Sequence, residues 1–342
     1  AELLLVYPPM LGSSRISLAT CPPLLVAGLK TFYSRPVLRI NSARRQFTLL
    51  PRGAKQGQRN IIQHVTHRVS LRQTAMASPE AAGEILVTAW AEGKWLRESS
   101  EFPNCSSVDA MYATHLAMQT HPIATSALGG HAGYKTGGVN AIEGQPCLYG
   151  PLFGRFVVDH NQESLSKAAI NAHQLEPEII AIMGQDLPSR ADGKPYTLEE
   201  VLTAVDSFAL GIEINGRRAT AALASDLPKL SVLSDALNAG GVVLGPRLSP
   251  QSLQLDELSQ CETEILVNGK SVAKGSTSAC PQGGPAHALE WLANHLNSRG
   301  LVLQKGMVVA TGQTCASKDY FPGDQIVCKF GKLGQVEMVF AP

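Results

Sequence analysis

Three glutamates sit where a buried strand should carry no charge. Glu176 and Glu178 lie in Leu175-Glu176-Pro177-Glu178-Ile179-Ile180-Ala181-Ile182-Met183, and Glu213 lies in Gly211-Ile212-Glu213-Ile214-Asn215. Residues i and i+2 of a strand project from one face, so Glu176 and Glu178 point together. Isolated buried carboxylates are strongly disfavoured, and three together repel unless a cation or shared protons compensate. Three oxygen ligands on rigid strands, with positions left for water and a ligand, suit Mg²⁺ or Mn²⁺. The other reading is a solvated sheet face, where most strand glutamates lie. Pattern alone leaves both open.

The elements around these residues follow from periodicity and punctuation. Ala81, Ile85, Leu86, Ala89 and Trp90 recur at helical spacing, as do Met111, Tyr112, His115, Leu116 and Met118 after a polar break at 99–107. Gly129-Gly130-His131-Ala132-Gly133 reads as a flexible junction leading into Tyr134-Lys135-Thr136-Gly137-Gly138. Thr197-Leu198-Glu199-Glu200 is a capping box, and Leu198, Val201, Leu202, Val205 and Phe208 extend a helix between the two glutamate strands. Glu264–Val267 and Ser271–Ala273 flank Asn268-Gly269, a hairpin with a type I′ turn. A helix is predicted from Pro285 to Gly300, and strands over 307–310, 325–330 and 335–340 close the chain. The order lacks a regular βαβ alternation and points to an α+β domain.

The chain has 342 residues, 44% of them hydrophobic, and a net charge of only +1. That total hides an asymmetry. Residues 1–75 carry eleven Lys/Arg against one acid, Glu2, leaving 18 basic and 27 acidic residues in the remainder. The basic segment has the Arg- and Ser-rich, acid-poor composition of a transit peptide. It reads equally as a non-native upstream extension before Met76-Ala77-Ser78-Pro79, and on either reading we expect it to be disordered. A cytoplasmic protein follows if Met76 is the start, a mitochondrial or plastid one if the segment is a transit peptide. Its aromatics do not interleave with its basic residues, so no nucleic-acid partner is expected. No apolar run approaches the roughly 20 residues that span a bilayer, so no membrane partner is expected either. The seven cysteines (21, 105, 147, 261, 280, 315 and 328) are odd in number and lack any C-x-x-C pair. They read as reduced, buried thiols rather than a disulfide framework or a zinc site.

Over residues 79–341 the ordered features resemble the 2-keto-4-pentenoate hydratase and 4-oxalocrotonate decarboxylase family of the fumarylacetoacetate hydrolase superfamily. The likeness rests on Asp109-Ala110-Met111-Tyr112-Ala113, Gly133-Tyr134-Lys135-Thr136-Gly137, Leu152-Phe153-Gly154 and Glu176-Pro177-Glu178-Ile179 with Asp186-Leu187-Pro188. It continues through Glu213, Gly284-Pro285, Trp291-Leu292-Ala293, Lys305-Gly306, Thr311-Gly312 and Pro322-Gly323-Asp324. The resemblance implies a curved mixed β-sheet roll over 131–342, preceded by a helical region over 76–130, and a homo-oligomer. It implies that Glu176, Glu178 and Glu213 ligate Mg²⁺ or Mn²⁺, which would chelate the 2-oxo oxygen and C1 carboxylate of a small 2-oxo acid and stabilise its enolate. Lys135 takes the place of the family's active-site lysine. Leu152, Ser276, Thr277, Gly284, Pro285, Thr311 and Gly312 are the implied substrate contacts.

The chain also departs from the hydratase pattern. Leu148 stands where hydratases have an acid, and Leu237-Asn238-Ala239-Gly240 stands where they carry Asp-Asn-Ala-Ser. The family likeness makes metal-dependent addition of water to a 2-hydroxy-2,4-dienoate the leading expectation. Decarboxylation of a 2-oxo acid and acylpyruvate hydrolysis are the alternatives, though the His–Glu lid pair of the hydrolases has no counterpart here. A non-catalytic family member with a binding role is a reading of a different class. His115, His131, Cys280 and Lys305 read as structural residues.

Overall fold

The computed structural model describes residues 78–160 and 171–339, with four short strands nearer the start of the chain. Those strands, β1 (Glu2–Leu5), β2 (Ser14–Ser17), β3 (Val37–Asn41) and β4 (Gln46–Leu50), form two antiparallel pairs, β1 with β2 and β3 with β4. They belong to a unit of their own, residues 1–71. The expectation of a disordered extension over 1–75, and the compartments that hang on it, fall for the most part outside the described residues.

The second unit, residues 72–342, opens with α1 (Pro79–Ala91), α2 (Val108–Thr120) and α3 (Pro122–Ala127). Ser78 and Ser107 cap the first two helices, their hydroxyls accepting from Ala81 N and Ala110 N. Strands and short helices follow: β5 (His131–Gly137), β6 (Leu148–Phe153), β7 (Val157–Asp159), β8 (Ala172–Met183), α4 (Leu198–Thr203), β9 (Val205–Gly216), α5 (Ala221–Asp226), α6 (Lys229–Leu233) and β10 (Ala239–Leu248). The chain ends with α7 (Leu255–Ser259), β11 (Glu262–Val267), β12 (Lys270–Ser276), α8 (Pro285–Ser298), β13 (Val308–Ala310), β14 (Lys318–Asp319), β15 (Gln325–Phe330) and β16 (Gly334–Val339).

Eight strands make one mixed sheet in the order β6-β5-β13-β8-β9-β10-β7, with β14 also pairing β8. β5 and β13 run parallel, as do β7 and β10, while the long β8, β9 and β10 are antiparallel with register shifts that curl the sheet. A second sheet, β12-β11-β15-β16, lays β16 against β9 and β10, with Val336 filling the space that Gly245 leaves. The curved mixed roll expected from the resemblance is the observed architecture. One core runs through both the helical region and the strands, with Trp90 of α1 edge-on to Phe153 and stacked on Phe156.

Two local expectations are corrected. The helix opened by the Thr197–Glu200 capping box ends at Thr203, and Val205 and Phe208 belong to β9 instead. Pairing with all of β8 outweighs one more turn of an exposed helix. The glycine-rich stretch before Lys135 is not a flexible junction from His131 onward but strand β5, where Gly133 is needed because a Cβ would lie 1.9 Å from Val308 O. The Asn268-Gly269 hairpin has the two positive φ angles, 52° and 78°, of a type I′ turn. Among the described residues the six cysteines are free and buried.

Candidate active site

A proline in a central strand is the local oddity that opens the site. Pro177 sits in β8 between Glu176 and Glu178, with β9 paired along the whole strand on one side. On the other side β13 covers only Ile180–Ile182 and β14 only Gln174–Leu175. Between them the ladder is interrupted and the loop 311–317 fills the gap. Pro177 O accepts there from Thr314 N (3.3 Å) and Thr314 Oγ1 (2.8 Å), so the edge lacking an N–H faces a loop and costs no strand bond. Ile179 O is held in the same way by Thr311 N (3.2 Å) and Thr311 Oγ1 (2.7 Å).

The pairing register gathers the carboxylates. Glu213 of β9 lies directly opposite Glu176, with Glu178 two residues along the same face. One ligand atom from each of the three side chains lies within 4.8 Å of the others. All three side chains are buried, Glu178 and Glu213 completely. Gly312 N donates to Glu178 Oε2 at 2.8 Å, whereas Glu178 Oε1 and Glu213 Oε2 have no hydrogen-bond partner among the described residues. Gly312 has φ of 110°, and a Cβ there would lie 2.2 Å from Pro281 Cδ, so only glycine brings this N–H to the carboxylate.

Electrostatics follows the crowding. Burial, then the charge of Glu213, raises Glu176 above the ordinary carboxylate range, although Lys135, Asn215 and Ser317 favour its charged form. Burial and the charges of Glu213 and Glu176 raise Glu178 further. Lys135 comes from β5, where its neighbour in register on β13 is Ala310, itself opposite Ile180 of β8. Its Nζ is buried, makes an ion pair with Glu213 Oε1 and donates to Asn215 Oδ1 at 3.3 Å. Burial opposes its charge, but Glu213, Glu176 and Glu178 together hold its pKa above the ordinary lysine value.

Beside this cluster lies a cleft of about 550 Å³. Lys135, Glu176 and Asn215 line it, with Gln313, Cys315 and Ala316 from the gap loop and Leu237 and Asn238 from the turn before β10. The expected substrate contacts fall elsewhere. Leu152 is in the core. The Thr277 hydroxyl accepts from Cys261 N, Ser276 Oγ accepts from Ser278 N, and Gly284 and Pro285 start α8. Thr311 and Gly312 act behind the carboxylates rather than on the cleft. The sequence did carry a signal for Asn215, two residues beyond Glu213 and so on its face of β9. Cys315, Gln313 and Ala316 gave none, since their placement depends on the interrupted ladder. His115 Nε2 lies 3.0 Å from Leu233 O with its ring fully buried, His131 Nε2 lies 2.9 Å from Gly133 O, and Cys280 Sγ donates to Gly312 O at 3.0 Å.

A curled mixed sheet that gathers three strand carboxylates and a lysine beside one cleft defines a class of β-roll protein with a buried acidic centre. The chain belongs to the fumarylacetoacetate (FAA) hydrolase C-terminal family, whose pattern matches residues 154–341. A 2-keto-4-pentenoate hydratase of Paraburkholderia xenovorans (strain LB400) is 29% identical over 195 residues, 56% of this chain and 68% of that protein. The 2-keto-4-pentenoate hydratase 1 of Dechloromonas aromatica (strain RCB) is 26% identical over 276 residues, 79% of this chain and all of that protein. In fold, the 4-oxalocrotonate decarboxylase from Pseudomonas putida G7, complexed with magnesium and adipate, is similar with a TM-score of 0.64 and 21% identity over 77% of this chain and 97% of that one. Among the described residues no helix is long and apolar enough to cross a membrane.

Proposed function

We propose that the protein is a divalent-metal-dependent hydratase that adds water to a small 2-hydroxy-2,4-dienoate, giving a 4-hydroxy-2-oxo acid. The observation that carries this reading is the convergence of Glu176, Glu178 and Glu213 with two buried, unpartnered oxygens. Three like charges at that spacing are unfavourable alone, and hard oxygen donors on rigid strands fit Mg²⁺ or Mn²⁺. Glu176, Glu178 and Glu213 would hold the ion, which supplies Lewis acidity toward the oxygens of a 2-oxo acid.

The remaining chemistry belongs to the chain. Lys135 Nζ holds a proton, and its charge favours a substrate carboxylate at this end of the cleft. Asn215 Oδ1 orients that ammonium, and Gly312 N–H fixes the Glu178 carboxylate. Leu233, Leu237 and Pro281 add apolar surface to the lining of the cleft. The hydratase names of the relatives in two bacteria support the reading, as does a fold neighbour complexed with magnesium.

Titration calorimetry of the full chain with Mg²⁺ and Mn²⁺, beside a Glu178→Gln variant, tests it. Saturable binding that the variant loses is expected, together with ion-dependent loss of the ultraviolet absorbance of a 2-hydroxy-2,4-dienoate. A folded wild-type protein that binds neither ion overturns the reading.

A further inference from the structure

The amide and hydroxyl side chains that line the cleft are engaged by the protein itself, with one exception. Asn215 Oδ1 accepts from Lys135 Nζ at 3.3 Å, Thr136 Oγ1 donates to Ala310 O at 3.3 Å, and Gln313 Nε2 donates to Cys315 O at 3.0 Å. Asn238 lines the same cleft, yet its side chain makes no hydrogen bond among the described residues, and its Oδ1 is buried without a partner. An amide left unpaired beside a cleft has lost water without replacing it, a cost that a hydrogen-bonding ligand removes.

The fold holds this amide close to the lysine strand. Ala236, Leu237 and Asn238 have φ of 49°, 55° and 59°, a left-handed turn that a Cβ disfavours. Gly150, the register partner of Lys135, gives the turn room, since a Cβ there would lie 2.3 Å from Ala236 O. Arg218 clamps the turn from both sides. Its Nε donates to Asp235 Oδ1 at 2.7 Å just before it, and Nη1 and Nη2 each donate to Ala239 O at 3.2 Å just after it. Ala239 is in turn the register partner of Asn215 on β9, and Arg218 Nη2 also reaches Gly216 O at 3.3 Å. The left-handed backbone is a reason for asparagine or glycine at 238, but not for an amide that bonds nothing.

We propose that Asn238 binds the 4-hydroxyl of a 4-hydroxy-2-oxo acid and, before addition, the water that becomes that hydroxyl. The proposal rests on the function proposed above and adds to it a residue for the group that the reaction creates. Beyond its 2-oxo and carboxylate oxygens such an acid has one further polar group, the hydroxyl, and the cleft has one further uncommitted amide. A hydroxyl both donates and accepts, so it pairs with either end of an amide, whereas a carboxylate can only accept.

The test compares 2,4-dihydroxypentanoate with 2-hydroxypentanoate by calorimetry on the full chain in saturating Mg²⁺. Neither has a 2-oxo group to enolise, so neither reacts, and they differ only in the 4-hydroxyl. The dihydroxy acid is expected to bind about fivefold tighter. Asn238→Gly keeps the left-handed turn and removes the amide, and should bring the two acids to within about twofold of each other. Loss of a purely structural residue would weaken both acids alike and leave their ratio unchanged. Equal binding of the two acids to the wild-type protein, or a ratio that Asn238→Gly leaves intact, overturns the role of Asn238 and leaves the proposed function standing. Binding of Mg²⁺ with neither acid bound overturns both.

Discussion

Asp235 is 1% exposed and its partner Arg218 is fully buried. Removing the carboxylate strands a guanidinium in the core and frees the left-handed turn at 236–238. Asp235→Ala is therefore expected to cost about 3–5 kcal/mol in urea unfolding, well beyond the loss of an exposed ion pair. Lys135 is a different case, because its charge faces the three carboxylates. Lys135→Met should lower turnover of a 2-hydroxy-2,4-dienoate by about 10² or more, while calorimetry still detects Mg²⁺. Loss of Mg²⁺ binding in that variant would assign Lys135 to holding the carboxylates rather than to the substrate.

At the scale of elements, the site depends on a strand that is paired on one side and stitched to a loop on the other. Thr311 and Thr314 hold the carbonyls of Ile179 and Pro177, and Gly312 between them reaches Glu178. Gly312→Ala introduces a Cβ into Pro281 at a positive φ, so the loop must move. The expected outcome is a destabilisation of about 1–3 kcal/mol, accompanied by weaker Mg²⁺ binding. Unchanged affinity would show that the loop does not support the carboxylate. The short α4 makes the same point about context. Its capping box forms as the sequence predicts, yet the residues that continued its periodicity were taken by β9.

Across the whole molecule, buried titratable groups make stability depend on pH in opposing directions. Burial pushes His115 from 6.5 down to about 4, so the folded state keeps it neutral. The unfolded chain binds that proton more readily, and stability is lost as pH falls from about 6.5 toward 4. At about 1.4 kcal/mol per unit, the contribution is on the order of 3 kcal/mol. Glu176 and Glu178 work in the opposite direction. Their folded pKa values are raised, so their contribution is complete below the ordinary carboxylate range and is lost as pH rises through the folded values. Metal-free protein should therefore lose urea midpoint to these carboxylates as pH rises above the ordinary carboxylate range, against the gain from His115. Saturating Mg²⁺ should offset the carboxylate loss through preferential binding to the folded state. A pH dependence that Mg²⁺ leaves untouched would count against the carboxylates as its origin.

Local patterning along the chain already specifies half of this protein. Alternation placed Glu176 and Glu178 on one strand face, side-chain chemistry made them candidate ion ligands, and capping and turn residues marked the start of α4 and the Asn268-Gly269 hairpin. The order of motifs pointed to the curved roll. Long-range contacts alone pair Glu213 in register with Glu176, bring Lys135 to both Glu213 and Asn215, and put Leu237 rather than Thr277 on the cleft. The reason is physical. Periodicity fixes which face a side chain takes within one element, but strand register, an interrupted ladder and a strained turn are set by contacts between residues far apart in the chain.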